Sequence, residues 1–412
     1  MHKSDSRIYY GWFVLAASAV CELLVTGATA YSSGLFVLPL QAEFHLSRAD
    51  ANSSILILFM GGALASPLVG KLLDRWPIRL IVPLGAILFC GALIAIAMTG
   101  SLWLIVLALL VPASLGFIAI GPLTTSTLAA RWFHKRRGLA LGIAAVATSG
   151  GGLVVVPLLS HAIQAYGWRQ GLLYEAVAIG IIIIALALLV LRDSPASAGL
   201  TGHAENRGHV PQARSQRPGW RAILSKRAFW IPSLALANLS GTCQAIVVTI
   251  VPYGVQLGVS VTQAALFISA FAICAAAAKI LAGFLADRME QRWLLVAALL
   301  FMILSQLLLC LVPSYHALLI SSCLAGISLG FALPTAAGLI AAAFGAQFFG
   351  AAMGWTYAMV LIFAIIATRF IGFVYDQTHG YVPAFASFLV ISGGVLIFTL
   401  LFGFKTGKPA RA

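Results

Sequence analysis

Polar residues interrupt this chain only at intervals, and long apolar stretches run between them. Twelve of these stretches predict helices: 9–38, 51–73, 79–99, 101–129, 138–162, 171–191, 229–256, 264–286, 292–312, 317–343, 350–374 and 382–403. A helix needs about 20 apolar residues to cross the hydrocarbon of a bilayer. Gly and Pro occur throughout, as membrane helices tolerate. The strands of a membrane barrel would alternate apolar and polar residues over about ten positions. Ile181-Ile182-Ile183-Ile184 and its apolar neighbours do not alternate. The first stretch follows only eight residues. It is too long and too polar inside for a signal peptide, so it is read as a retained first span.

Composition agrees. Hydrophobic residues make up 61% of the chain and charged residues 9%, whereas a soluble domain carries roughly 25% charged. The net charge of +14 would suggest nucleic acid in a soluble protein. Its distribution gives a different answer. Basic residues lie at the N-terminus (Lys3, Arg7), after span 2 (Arg75, Arg79), and after span 4 (Arg131, Lys135, Arg136, Arg137). They continue through 192–228, after span 8 (Arg288, Arg292), and at the C-terminus (Lys405, Lys408, Arg411). Loops on the other side hold little more than Arg48 and Arg169. Cationic loops stay in the cytoplasm, so both termini are expected there, and the partner is the lipid bilayer rather than nucleic acid. In a bacterial cell that membrane is the inner one. The cysteines, Cys21, Cys90, Cys243, Cys274, Cys310 and Cys323, all fall inside spans without metal-ligand spacing, and read as buried thiols.

The stretch 192–228 is the only long polar one, rich in Arg, Pro, Gly and Ser. It reads as a linker between an N-terminal six-helix bundle, 1–191, and a C-terminal one, 229–412. The two halves repeat each other. Gly70-Lys-Leu-Leu-Asp74-Arg75 with Arg79 returns as Gly283-Phe-Leu-Ala-Asp287-Arg288 with Arg292, at an offset of 213. Ser114-Leu-Gly-Phe117 returns as Ser328-Leu-Gly-Phe331 at 214, and Gly138-Leu-Ala-Leu-Gly142 as Gly350-Ala-Ala-Met-Gly354 at 212. Tyr166-Gly167-Trp168 is echoed by His379-Gly380-Tyr381 at 213. Parallel six-span repeats with substrate bound between them are a transporter architecture.

The Gly-x-x-x-Asp-Arg loop with its following Arg, between spans 2 and 3 and again between spans 8 and 9, resembles the signature of the major facilitator superfamily. A narrower resemblance is to its monocarboxylate porter and oxalate–formate antiporter branch. It is carried by Tyr9-Tyr10-Gly11-Trp12, Glu43-Phe44 with Ser47-Arg48, Arg131-Trp132-Phe133 with Arg136-Arg137-Gly138, and Gly167-Trp168-Arg169. The fold so implied is an all-α membrane protein with twelve transmembrane helices in two six-helix bundles related by pseudo-two-fold symmetry. The resemblance also implies alternating access around a central site, with Asp74, Arg75, Asp287 and Arg288 locking the cytoplasmic side. A carboxylate at a helix end can accept backbone N–H groups of a neighbouring helix N-terminus. Topogenic charge is the plainer reading of the same residues.

Two polar stripes mark a candidate pathway. Span 1 carries Ser18, Glu22, Thr26, Thr29 and Ser33 on one face; span 7 carries Asn238, Thr242, Thr249, Tyr253 and Gln256. Facing lipid would be costly, so both stripes are expected to look inward, onto a cavity or into interhelical hydrogen bonds. Glu22 and Lys279 sit near the middle of their spans, where an ionised group costs at least a few kcal/mol unless paired or hydrated. Either they form a structural pair, or Lys279 meets a substrate carboxylate while Glu22 titrates. Small-carboxylate carriers of the resembled branch have an arginine at the place of Lys279, so the charge is kept and the bidentate fork lost. Its dicarboxylate antiporters carry a lysine in span 11, where Thr356 and Tyr357 stand here. One intramembrane cation without a second favours a monoanion. Phe117 and Phe331, related by the repeat, are candidates to stack on substrate or to pack in the core. Glu175, His161 and Arg369 are expected near the outer surface, through packing or snorkelling.

No Walker-type phosphate loop, HExxH or GxSxG motif appears, which argues against direct ATP drive and against an enzyme. The expected protein is a monomeric secondary transporter for a small organic monocarboxylate, coupled to protons, with no cofactor or metal. Efflux of drug-like or aromatic compounds is an alternative within transport, and a transporter-like receptor one from another class.

Overall fold

The computed structural model describes residues 9–46, 54–133, 136–195, 220–312, 314–345 and 347–402. Of the expected linker, 196–219 lies outside the described residues, as do Arg48, Lys135 and the basic residues of the termini. Among the described residues, twelve helices are long and apolar enough to cross a membrane. They are α1 (Tyr10–Tyr31), α2 (Ser54–Leu73), α3 (Ile78–Met98), α4 (Leu102–Trp132), α5 (Arg137–Tyr166), α6 (Trp168–Leu189), α7 (Arg227–Gln256), α8 (Val261–Ala286), α9 (Gln291–Leu311), α10 (Tyr315–Phe344), α11 (Phe349–Thr378) and α12 (Val382–Leu401). The predicted spans are recovered; α5 and α11 run four residues further, to Tyr166 and Thr378.

The repeat is broken in one respect. Helices α1 and α4 of the first bundle are irregular, whereas α7 and α10 run unbroken. In α1 the regular helix ends at Thr26 and passes through a π turn, Gly27–Tyr31, into a short 3-10 segment and the helix Val37–Phe44. The stretch 9–38 is therefore not one helix. Gly27 lies against Gly151 of α5, so closely that a Cβ on Gly151 would stand 2.6 Å from the Gly27 nitrogen. In α4 a π turn forms at Leu109–Ala113 around Pro112, and the helix breaks at Gly121 before Pro122. Proline lacks the N–H that would bond the preceding turn and suits a helix start instead.

Each bundle has a buried apolar core, with Phe89 and Trp132 in the first and Phe267 and Phe385 in the second. Leu64, Leu189 and Val390 are exposed, as apolar side chains on membrane helices can be. The four aromatic and charged motifs of the sequence meet in pairs. Tyr9, Tyr10 and Trp12 pack on Trp132 and Phe133, and the Tyr9 hydroxyl donates to the Trp132 carbonyl at 3.0 Å. At the other end Glu43 accepts from Trp168 and Arg169, fixing the extension of α1 to the start of α6.

Candidate substrate site and the locks of the basic face

The face carrying the Arg-rich loops, here called the basic face, holds the two bundles together. Asp74, at the end of α2, accepts the backbone N–H groups of Gly350 (3.0 Å) and Ala351 (2.7 Å) at the start of α11. Asp287, at the end of α8, accepts those of Gly138 (2.7 Å) and Leu139 (3.0 Å) at the start of α5. Each carboxylate thus meets unpaired amides and the positive end of a helix dipole in the other bundle. The glycines make this possible. A Cβ on Gly138 would stand 2.5 Å from the Gly283 carbonyl, and one on Gly350 would stand 2.6 Å from Asp74 Oδ1.

The locks differ in their cations. Arg131 lies 3.6 Å from Asp74 and also donates to the Leu73 carbonyl at 2.6 Å. Arg75 is exposed, and Arg288 stacks on the ring of Phe284 at 3.7 Å. Asp287 is crowded enough that desolvation pushes its carboxyl above the usual value, against the Leu139 and Gly138 amides and the charges of Arg137 and Arg136.

Deeper between the bundles lies a second polar contact. Lys279 of α8 is buried at 7% exposure. Its ammonium donates to Thr148 Oγ1 (3.0 Å) and Ser149 Oγ (2.9 Å) of α5 in the other bundle. The Tyr31 hydroxyl is close to Ser149. Glu22 of α1 is also buried, with Thr125 of α4 beside it and one carboxyl oxygen without a partner. Tyr357 of α11 brings its hydroxyl near Glu22 and Ser126. Among the described contacts there is no Glu22–Lys279 ion pair; two neutral hydroxyls hold the lysine instead.

The remaining candidates lie elsewhere. Thr29 donates to Val25 O in its own helix, as Ser18, Ser33 and Thr249 do to theirs. Hydroxyls bonding the preceding turn leave the helix little polar surface to offer. Asn238 donates to Ser392 of α12 at 3.1 Å, and Thr242 is buried in α7. Tyr253 donates to the Leu309 carbonyl among Tyr381 and Phe385. Phe117 and Phe331 are buried in the cores of their own bundles, Phe331 against Phe301. The structure thus brings Glu22, Tyr357 and Lys279 to the region between bundles and places the others within one bundle. Thr148 and Ser149 were not singled out from sequence; the run Gly150-Gly151-Gly152 beside them, which lets α1 approach, is the signal that marks the place. Of the two expectations for Glu175, packing and not snorkelling fits: it is 8% exposed, and among the described residues neither carboxyl oxygen has a partner.

Two six-helix bundles, joined at one face by carboxylates on backbone amides and meeting around buried charge, have the architecture of a multi-pass membrane transporter. The chain belongs to the Major Facilitator Superfamily, whose family model matches residues 19–253 and 234–412. Members of that family are transporters rather than enzymes. It is 28% identical over 401 residues to mouse monocarboxylate transporter 11, covering 94% of this chain and 85% of that one. It is 22% identical over 393 residues to the MFS-type transporter YcxA of Bacillus subtilis, covering 93% and 92%. Among solved structures it superposes on the proton:xylose symporter XylE with a TM-score of 0.75, at 14% identity over 95% of this chain and 96% of that one.

Proposed function

We propose that this transporter moves a small organic monocarboxylate by alternating access, with Lys279 receiving the carboxylate and Glu22 carrying a coupled proton. The observation that carries the reading is the state of Lys279. A buried ammonium is held by two neutral hydroxyls and, among the described residues, by no carboxylate. An entering carboxylate supplies the missing negative charge, and charge-assisted hydrogen bonds are roughly twice as strong as neutral ones. The similarity to proteins named monocarboxylate transporters supports the substrate class. Glu22 lies near enough for its charge to act on Lys279, so loading one site alters the other. With the basic face in the cytoplasm, the Asp74 and Asp287 contacts close the inner side.

The test is uptake and counterflow of labelled lactate, pyruvate and benzoate in proteoliposomes, with and without a pH gradient. Lys279→Ala abolishes binding, and Lys279→Arg retains part of it because charge and donors persist. Glu22→Gln removes the dependence on the pH gradient and spares substrate-for-substrate exchange. Recovery of transport in Glu22→Gln with Lys279→Ala would show a structural pair and overturn the assignment. Orientation is tested separately. A cysteine at exposed Ser225, in a cysteine-free background, resists an impermeant reagent in intact cells and reacts once they are opened.

A further inference from the structure

On the outside of the first bundle, where α1, α5 and α6 meet, lies a cavity of about 230 Å³. It is lined by apolar side chains, among them Leu24, Val155, Leu158 and Ile179, with Tyr174 at its side. Leu158, Tyr174 and Ile182 are exposed on the outer surfaces of α5 and α6, so the cavity opens toward lipid and not toward the region between the bundles. Among the described residues its one charged lining residue is Glu175, 8% exposed, with neither carboxyl oxygen hydrogen-bonded. Buried carboxyls without partners are costly and call for a donor.

We infer that this cavity is a binding site, reached from the bilayer, for an amphiphilic amine: an apolar body in the groove and one amino group on Glu175. Size fits such a body, since an apolar cavity of about 150 Å³ already takes a benzene ring. Depth selects against the amino headgroup of a phospholipid. Glu175 stands seven residues from Trp168 at the start of the helix, about 10 Å along its axis. Trp168, with Glu43 and Arg169, marks the water interface, so Glu175 lies at the level of acyl chains. A bilayer-dissolved amine reaches that level, while a headgroup stays above it. Charge also balances. A neutral amine and a protonated carboxyl hold the same proton as an ammonium and a carboxylate, so the pair forms without moving net charge into the membrane. Lys279 and the region between the bundles take no part, so the site is independent of the proposed transport reaction.

The experiment uses the full-length protein in phosphatidylcholine nanodiscs and tritiated 4-phenylbutylamine, read by scintillation proximity. Saturable binding is expected. Glu175→Gln weakens it by at least about tenfold, the usual consequence of removing one partner of a buried charge pair. Ala162→Phe, which fills the groove and leaves the carboxyl, abolishes it; this variant keeps the test intact if Glu175→Gln does not fold. Lys279→Ala binds the amine as the unmodified protein does, even where it has lost the carboxylate. Equal binding by Glu175→Gln, or competition by 4-phenylbutanol as strong as by the unlabelled amine, overturns the inference. So does native mass spectrometry that finds a phospholipid in the groove, lost in Ala162→Phe and not displaced by the amine.

Discussion

The two faces of this transporter are held by contacts of different reach. At the basic face, Asp74 and Asp287 cross from one bundle to a helix start in the other. At the opposite face, the described polar contacts on Glu43 and Gln256 stay inside a bundle. Glu43 joins Trp168 and Arg169 in the first, and Gln256 donates to the His379 carbonyl in the second. Under the alternating access proposed above, the first contacts break when the bundles move and the second travel with their bundle. A carboxylate on backbone amides suits the first duty. Once the bundles part, water can replace each partner, so the lock is strong when closed and reversible when open.

The largest effect is expected from the glycines that let the locks close. A methyl on Gly138 meets the Gly283 carbonyl at 2.5 Å and Asp287 Oδ1 at 2.8 Å; one on Gly350 meets Asp74 Oδ1 at 2.6 Å. These partners are backbone or lock atoms, so the helices must separate. Overpacking costs about 1–3 kcal/mol, here charged to the closed state alone. Gly138→Ala and Gly350→Ala therefore lower turnover roughly tenfold or more and expose the basic face at rest. The readouts are counterflow and alkylation of a cysteine at Ser66, a fully buried site on α2. Unchanged alkylation in both variants would mean that the contact is not the seal.

Next come the aspartates, and here the two locks should part company. Asp74→Asn removes an acceptor and also leaves Arg131, 15% exposed at its side chain, with Asp193 at 3.8 Å as its remaining carboxylate. Asp287→Asn leaves no such close ion pair behind among the described residues. Losing a charged hydrogen-bond partner costs about 1.5–3 kcal/mol. Asp74→Asn should fall at the upper end and Asp287→Asn at the lower, in melting temperature and in transport rate. Equal losses would show that Arg131 adds nothing to the first lock.

Much of this arrangement was legible, but as separate pieces. The repeated Gly-x-x-x-Asp and Gly-x-x-x-Gly segments could be seen at offsets of 213 and 212, yet nothing in a repeat says that one motif docks on the other across the bundles. The cation next to each aspartate in sequence is not the one next to Asp74 in space. Residues one apart on a helix point about 100° apart and do not face each other. Arg131 arrives instead from α4. The polar stripes of α1 and α7 had the right helical face, but a Ser or Thr can satisfy itself on its own backbone, which sequence spacing does not reveal. Glu22 and Lys279 stood out because charge at that depth demands an explanation. Thr148 and Ser149 did not, because hydroxyls are common in membrane helices and only the fold selects two of them.

The smallest effect is expected at the face opposite the basic one, where the contact stays inside one bundle. The Arg169 hydrogen bond and charge, with the Trp168 indole, hold the Glu43 carboxyl below its ordinary value of 4.5 despite some desolvation. A carboxyl depressed in the folded state adds stability above its unfolded value and loses it as pH falls through the folded one. The loss therefore begins near pH 4.5 and grows below it. The pair is about one-third exposed at both side chains, so solvent screens most of it. Exposed pairs contribute about 0.2–1 kcal/mol, well below either lock. Glu43→Gln should lower the melting temperature slightly at pH 7, be indistinguishable from the unmodified protein at the acid end of the window, and leave counterflow unchanged. Glu43 and Arg169 belong to one bundle, so under the proposed alternating access closing this face need not break them. A Glu43→Gln variant that slowed transport as much as Asp287→Asn would instead place the pair on the path of the conformational change, and the distinction between joints within a bundle and joints between bundles would fail.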